Sequence, residues 1–402
     1  MDAELARWLV SPEAEAALAE ASVQPDPGSL AAATALRRNW PADQAAAALS
    51  QVALRRRAVA KFGERAERLF FTPDGLEQAT RADVARWRAQ RFVAAGASEV
   101  VDLGCGLGAD AIAFLDAGLR VTAVEADPAT AVLAEANLSR RARVVNGDAI
   151  EVSDDLLAGG AAVFVDPARR TGAGRTWRVS DFSPPWEFVT RLLERRAPGS
   201  GTVGCVKAAP GLPSAFIPEG VATTWVSHRG DLVEASLWSG PWTAGARTAV
   251  LLPSGDELDA AARREPPAGP IGRYLYEPDP AVIRAGATGA LADLLDARVA
   301  QAGIAYLFAD APVATPFATA FEVLEELPYD ERVLRAWVRD HGVGVLEIKV
   351  RGLDVDPAVL RRRLKPKGPA SATVVLTPTR EGARALSVRR SGTRLDRVLS
   401  AV

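Results

Sequence analysis

Over roughly the first ninety residues, apolar positions recur at intervals of three and four. They do so in LAAATALRRNW, DQAAAALSQVALRRRAVAKF and RADVARWRAQRF, which predicts amphipathic helices. Pro41-Ala42-Asp43 and Thr72-Pro73-Asp74-Gly75 supply the breaks and helix starts between them. At Glu99 the pattern changes to short β-branched runs alternating with helical stretches, the signature of βαβ units and a parallel sheet. The predicted strands are 99–103, 120–125, 143–146, 161–165 and 201–207. Two further runs, 223–228 and 232–238, flank Arg229-Gly230-Asp231 and predict an antiparallel pair that closes the sheet. Residues 252–280 are rich in Pro, Gly and charge and predict a connection, with Tyr274, Leu275 and Tyr276 packed down. Helices near 281–303 and 330–340, then strands near 343–350 and 372–377 around DPAVLRRRL, predict a small α+β unit at the end.

Composition narrows the setting. With 402 residues, 48% hydrophobic and 24% charged, the chain has the makeup of a globular protein of two or three domains rather than a disordered or fibrous one. Two cysteines, Cys105 and Cys205, and two histidines, His228 and His341, lie too far apart in sequence to supply a zinc tetrad or disulfide framework. No metal is expected, and the compartment is expected to be reducing. Asp2, Glu4, Glu13 and Glu15 stand where a secretory signal needs a basic start and an apolar run. No stretch of about 18 apolar residues is present. A soluble cytoplasmic protein follows as the expectation.

Charge is uneven. Against 48 basic and 50 acidic residues in the whole chain, residues 349–402 hold thirteen basic and four acidic, an excess of +9, which leaves −11 on the remainder. A basic segment on an acidic body suits a polyanion-binding appendage, because neutralised phosphates release counterions. A solvated Arg-rich helix face fits the same count.

The most informative stretch is VVDLGCGLGADAIAFLDAGLRVTAVEADP. A strand ends at Asp102, after which Gly104, Gly106 and Gly108 let the backbone turn sharply toward a ligand, and a helix starts. Glu125, ending the next strand, is placed to accept from a ribose diol. Gly106, Gly108 and Ala111 also satisfy G-x-G-x-x-A, so the loop alone does not choose among adenosine cofactors. Asp102 in a buried strand needs a polar, preferably cationic, ligand group, and a pyrophosphate has the wrong sign. The ammonium of S-adenosylmethionine has the right one. Asn146-Gly147-Asp148 ends the third strand with a carboxylate able to accept from an adenine amino group. The fourth strand ends in Asp166-Pro167-Ala168-Arg169-Arg170.

DLGCGLG, VEADP, NGDA and VDPARR, in that order, resemble the class I S-adenosylmethionine-dependent methyltransferases over residues 75–240. The resemblance implies the seven-stranded, Rossmann-like methyltransferase sheet, mostly parallel with its last strand antiparallel. It implies S-adenosyl-L-methionine as cofactor, with the methionine end over Asp102, Gly104 and Gly106, the ribose on Glu125 and the adenine on Asp148. Cys105, Gly108, Ala126, Ala149 and Asp166 complete the expected cofactor site. GRYLYEPDPAVIRAG and VLEIKVRGLDVDPAVLRRRLKPKG resemble bacterial methyltransferases that carry a THUMP-like domain, as does LEQATRADVARWRAQRF. THUMP domains are associated with structured RNA, so this resemblance implies an enzyme modifying transfer or ribosomal RNA. The expected organisation is a helical region over 1–90, a catalytic domain over 91–245, a connecting region over 246–330 and a basic THUMP-like domain over 331–402.

Methyl transfer to nitrogen needs in-line approach, a proton acceptor and exclusion of water. Asp166, Pro167 and Arg169 are the expected catalytic residues, with Asp166 as acceptor or anchor. Methyltransferases of exocyclic base amines usually show Asp or Asn, Pro, Pro and an aromatic. Here Ala168 and Arg169 stand instead, so an aromatic clamp has to come from Trp177, Phe182 or Trp186. DPAR is also reminiscent of the DPPR element of uridine C5 methyltransferases, which need a cysteine nucleophile. Cys205 is the candidate, although a cysteine in an apolar strand is usually a buried hydrophobe. His228 could serve as a base but reads more often as structural. Arg169, Arg170 and Lys207, with Arg361, Arg362, Arg363, Lys365 and Lys367, are the expected substrate contacts. Two alternatives stay open: a small-molecule or protein methyltransferase, and a non-catalytic RNA-binding protein with a vestigial cofactor fold.

Overall fold

A computed structural model describes residues 1–169, 182–194, 202–260 and 264–391. By internal contacts the chain divides into two units, Met1–Ala222 with Glu234–Gly245, and Thr223–Val233 with Ala246–Val402. Among the described residues no helix is long and apolar enough to cross a membrane.

The first unit opens with six helices: α1 (Ala3–Leu9), α2 (Glu15–Ser22), α3 (Leu30–Leu36), α4 (Ala42–Phe62), α5 (Pro73–Gln78) and α6 (Ala82–Ala94). Polar side chains set several starts: Asp2 accepts from Leu5 N at 2.9 Å, Ser29 caps α3 and Thr72 caps α5. Alanines 17, 21, 32, 45 and 48 are buried where α2, α3 and α4 meet, and their small side chains let the helices pack closely.

The α/β part follows as β1 (Glu99–Leu103), α7 (Ala109–Asp116), β2 (Arg120–Glu125), α8 (Pro128–Asn137), β3 (Arg143–Asn146), α9 (Ala149–Leu157) and β4 (Ala162–Val165). It continues with the short β5 (Ala168–Arg169) and β6 (Phe182–Ser183), then α10 (Trp186–Glu194), β7 (Gly204–Ala208), β8 (Ala222–His228), β9 (Asp231–Ser239), β10 (Arg247–Leu252) and β11 (Asp256–Asp259). β1 pairs in parallel with β2 and β4, and β2 pairs in parallel with β3. β4 (AVFV) and the middle of β1 and β2 are buried, as strands covered on both faces are, whereas β3 at the edge is exposed or half-buried. α6 packs onto the sheet through an aromatic chain: Trp87 lies 5.9 Å from Trp238, Phe92 lies 5.1 Å from Phe114, and Phe114 lies 5.5 Å from Phe164.

The expectation of seven strands needs correcting. All seven are present, but among the described residues the sheet has nine strands and is mixed rather than mostly parallel, in the order β11-β10-β8-β9-β7-β4-β1-β2-β3. β9 runs antiparallel to β7, as the closing pair requires, and the run RTAVLL then pairs in parallel with β8 and antiparallel with β11. The addition covers the ladder groups that β8 would otherwise present as an edge.

In the second unit, residues 246–330, expected to connect, hold β10 and β11 together with β12 (Tyr274–Pro278), α11 (Pro280–Ala285), α12 (Thr288–Leu295), β13 (Arg298–Val299), β14 (Leu307–Ala309) and β15 (Ala318–Pro328). The chain continues through α13 (Glu331–Asp340), β16 (Val343–Val350), α14 (Pro357–Leu364), β17 (Ala370–Thr379) and β18 (Gly382–Arg390). Seven strands form one mixed sheet, β13-β14-β12-β15-β18-β17-β16. Leu334, Trp337, Val338, Leu360 and Leu364 on α13 and α14 pack over Leu346, Ile348, Val374 and Leu376 of the sheet.

Candidate active site

β1 ends at a loop held across β2, because Gly104 N and Cys105 N both donate to the Val124 carbonyl at 2.9 Å. Gly104 and Gly106 take φ of +85° and +54°, and a Cβ on either would meet no atom within 4 Å, so both face open space. Gly108, at φ +84°, is tighter: its Cβ would lie 3.2 Å from Leu138, and α7 starts there. Glu125 ties the loop down. Its Oε2 accepts from Gly106 N at 3.0 Å and its Oε1 from Asp127 N at 2.9 Å. Burial raises its carboxyl despite those two amides. Asp148 is exposed and caps α9, accepting from Ile150 N at 2.7 Å.

Asp102 is only 1% exposed, and neither carboxylate oxygen has a donor. Burial, with Asp110 and Asp166 nearby, pushes its carboxyl well above the usual range. A cavity of about 890 Å³ gathers Asp102, Gly104, Cys105, Gly106, Glu125, Ala126, Asp148, Ala149 and Asp166. Gly108, Pro167 and Lys207 are not among its described lining residues.

Asp166 leaves the end of β4 and takes an ion pair from Lys207 of β7, Nζ to Oδ2. Burial alone would lower the Lys207 ammonium. The Asp166 carboxylate, with Asp110 and Glu234 farther off, holds it above its ordinary value. Pro167 is buried, and Arg169 lies in β5 opposite Phe182 of β6. Arg170 and Trp177 lie outside the described residues. Phe182 and Trp186, considered for a clamp, pack on each other at 5.0 Å and are buried, with Trp186 Nε1 donating to the Phe216 carbonyl at 3.1 Å. Ser183, Pro184 and Pro185, between them in sequence, line the cavity instead.

Cys205 is fully buried and burial raises its thiol, which suits a small hydrophobe rather than a nucleophile. Cys105 lines the cavity, but burial and the Asp102 and Glu125 carboxylates hold its thiol well above the ordinary range. His228 pairs with Leu252 in the second unit. Arg361, Arg362 and Arg363 close α14 there, with Lys365 and Lys367 just beyond; all five are exposed. Arg363 pairs with Glu331 at 3.0 Å.

Two features escaped sequence reasoning. Arg88 of α6 is fully buried; it pairs with Asp110 of α7, donates to Glu234 of β9 at 2.6 Å and lies 4.8 Å over the Phe164 ring. Thr80 Oγ1 donates to the same Asp110 at 2.7 Å. A charge at position 110, ahead of the apolar run AIAFL in the helix ADAIAFLD, was the available signal. The second feature is that Asp43 and Ser50 of α4, Asp74 and Gln78 of α5, and Leu5 of α1 also line the cavity. Helical periodicity locates such helices without saying what they face.

The family model described as THUMP domain-like matches residues 318–390, and one described as a domain of unknown function (DUF8688) matches residues 2–58. The chain is 35% identical over 355 residues to an uncharacterized S-adenosylmethionine-dependent methyltransferase of Mycobacterium tuberculosis strain CDC 1551 / Oshkosh, covering 83% of this chain and 92% of the relative. The same figures hold for the protein of that description in strain H37Rv. A crystal structure from Porphyromonas gingivalis W83, ascribed to a methyltransferase, shares the fold with a TM-score of 0.77 at 22% identity, covering 94% of this chain and 98% of that one. The chain therefore belongs to the family of these S-adenosylmethionine-dependent methyltransferases and carries a THUMP-like domain toward its carboxy-terminal end.

Proposed function

We propose that the chain methylates a nucleotide of structured RNA, transfer or ribosomal, with S-adenosylmethionine as donor. The observation that carries the cofactor's placement is Asp102, a buried carboxylate without a donor beside two glycines whose Cβ positions are open. A carboxylate in that state fits an ammonium group. Glu125 keeps half of its acceptor positions for a ribose diol, since two loop amides take the rest. Asp148 is exposed toward the same cavity and can accept from an adenine amino group, with Ala126, Ala149 and Cys105 flanking. Gly108 shapes the turn from behind. When bound, the cofactor supplies a methyl group on a positively charged sulfur.

The remaining chemistry belongs to the chain. Lys207 occupies one oxygen of Asp166 and so orients the other toward a donor on the acceptor base. Asp166 anchors an amino or ring N–H and takes the proton that the nitrogen loses on methylation. Pro167, buried, stiffens the exit from β4. Arg169 and Arg170 are assigned to the incoming nucleotide, by stacking or by phosphate contact. Arg361, Arg362, Arg363, Lys365 and Lys367 are assigned to the RNA backbone, and the THUMP-like match supports the assignment. The test is mass spectrometry of digested RNA from cells with and without the gene. One methylated nucleoside should vanish; an unchanged nucleoside profile overturns the RNA reading.

One observation favours a second reading, in which the acceptor is a small molecule or a protein. Lys349, Arg363, Arg384 and Arg389 spend their charge on Glu277, Glu331, Glu326 and Glu322, all outside the basic segment. Methyl transfer to total RNA, set against transfer to a metabolite panel, separates the two.

A further inference from the structure

Resting on the RNA reading above, we infer that helices α4 and α5 form the acceptor-reading wall of the active site, and that this wall selects an uncharged, donor-bearing nucleobase while excluding phosphate. The family model that matches most of α4, over residues 2–58, describes a domain of unknown function. Yet Asp43 and Ser50 of α4 and Asp74 and Gln78 of α5 line the same cavity as Asp102 and Asp166. Eight carboxylates line it, and among the described lining residues no Lys, Arg or His does. Cations nearby are turned to other work: Lys207 holds Asp166, Arg88 holds Asp110 and Glu234, and Lys61 donates to the carbonyls of Leu76, Glu77 and Ala79.

A nucleotide phosphate in such a cavity would meet like charge with no cationic side chain to offset it. A base presents amino and ring N–H groups, which carboxylates accept as strong charge-assisted hydrogen bonds. Cofactor recognition uses Asp102, Glu125 and Asp148, which lie on β1, β2 and the turn after β3. Asp43, Ser50, Asp74 and Gln78 lie on other elements, are open to solvent, and bond to no other described side chain. First-turn acids also favour their own helices through the dipole, so stability has to be measured beside binding. A base entering this wall leaves its sugar-phosphate outside, which means extrusion from any duplex.

The test uses the full chain carrying Asp43→Asn and Asp74→Asn together, which keeps side-chain shape and leaves the Thr72 cap of α5 in place. With S-adenosylhomocysteine saturating, calorimetry measures binding of adenosine, guanosine, cytidine and uridine, and of their 5′-monophosphates. One nucleoside should bind the wild-type chain better than its monophosphate. The double variant should lose roughly tenfold or more of that affinity, with S-adenosylhomocysteine affinity and unfolding midpoint unchanged. The half-saturating concentration of bulk RNA from a strain lacking the gene should rise in step. Monophosphates binding better than nucleosides, or cofactor affinity falling alongside, overturns the assignment. Loss of methyl transfer to RNA in the wild type, with nucleoside binding still dependent on Asp43 and Asp74, removes the RNA reading and leaves the base-reading wall standing.

Discussion

A carboxylate buried without a donor costs the fold something, and Asp102 shows where the cost falls. Its carboxyl is raised by burial and by Asp110 and Asp166, so in the cofactor-free chain the folded state takes up a proton more readily than the unfolded one. The stability this lends is fully present below the ordinary carboxylate range and is lost as pH rises through the raised value. Urea unfolding of the cofactor-free protein should therefore show stability declining above about pH 4. Asp102→Asn should flatten that slope and add about 1–3 kcal/mol at neutral pH. The same variant should bind S-adenosylmethionine at least about tenfold more weakly, because it can no longer offer an ionised partner to the ammonium. If the substitution left both the slope and the affinity intact, Asp102 would have no part in the site. Gly104 makes the complementary case. Its φ of +85° and the open space at its Cβ mean that Gly104→Ala should strain the loop by about 1–2 kcal/mol and fill room the cofactor needs, so stability falls slightly and affinity falls much more.

At the level of elements, Arg88 joins α6, α7 and β9 through one buried guanidinium. Replacing it by Met leaves Asp110 and Glu234 as buried charges without their cation. The expected loss is about 3–5 kcal/mol in urea unfolding. Arg88→Lys should recover only part of it, since an ammonium cannot serve both acids in the guanidinium's planar geometry. A loss below about 1 kcal/mol would mean the two acids find other compensation. Sequence reading saw α6 and β9 but not the ion cluster between them, because burial of a charge is a tertiary fact with no local periodicity. It located β1 to β4 well, since β-branched runs punctuated by Gly and Asp allow few other conformations. It missed β15 and β18. ATAFEVLEELP carries Glu and Leu at spacings that suit a helix as well as a strand, and GARALSVRR is alternation masked by arginine. What settles both is pairing with each other over seven register positions. Likewise, the strand ends that present Asp102, Glu125, Asp148 and Asp166 were legible, whereas the contribution of α4 and α5 to the cavity was not.

Across the whole molecule, the +9 excess of residues 349–402 is less available than its count suggests. Lys349, Arg384 and Arg389 meet glutamates of β12 and β15 at 2.7, 2.9 and 2.6 Å, and Arg363 meets Glu331 of α13. Surface and half-buried pairs of this kind add little to stability, about 0–1 kcal/mol for those open to solvent, but they occupy charges that would otherwise attract phosphate. Arg361, Arg362, Lys365 and Lys367 are exposed at the end of α14, and no ion pair holds them among the described residues. These four, and not the paired arginines, should therefore set the salt dependence of RNA binding. Each phosphate contact contributes about 0.7–0.9 to the slope of log K against log salt. Changing all four to Gln should flatten the slope by about 2–4 and weaken binding severalfold at moderate salt. Arg384→Gln, which breaks an internal pair, should leave the slope alone. Filter binding of bulk RNA across a salt series decides the matter: equal slopes for the quadruple variant and the wild type would make α14 a structural helix and return the basic count to the solvated surface.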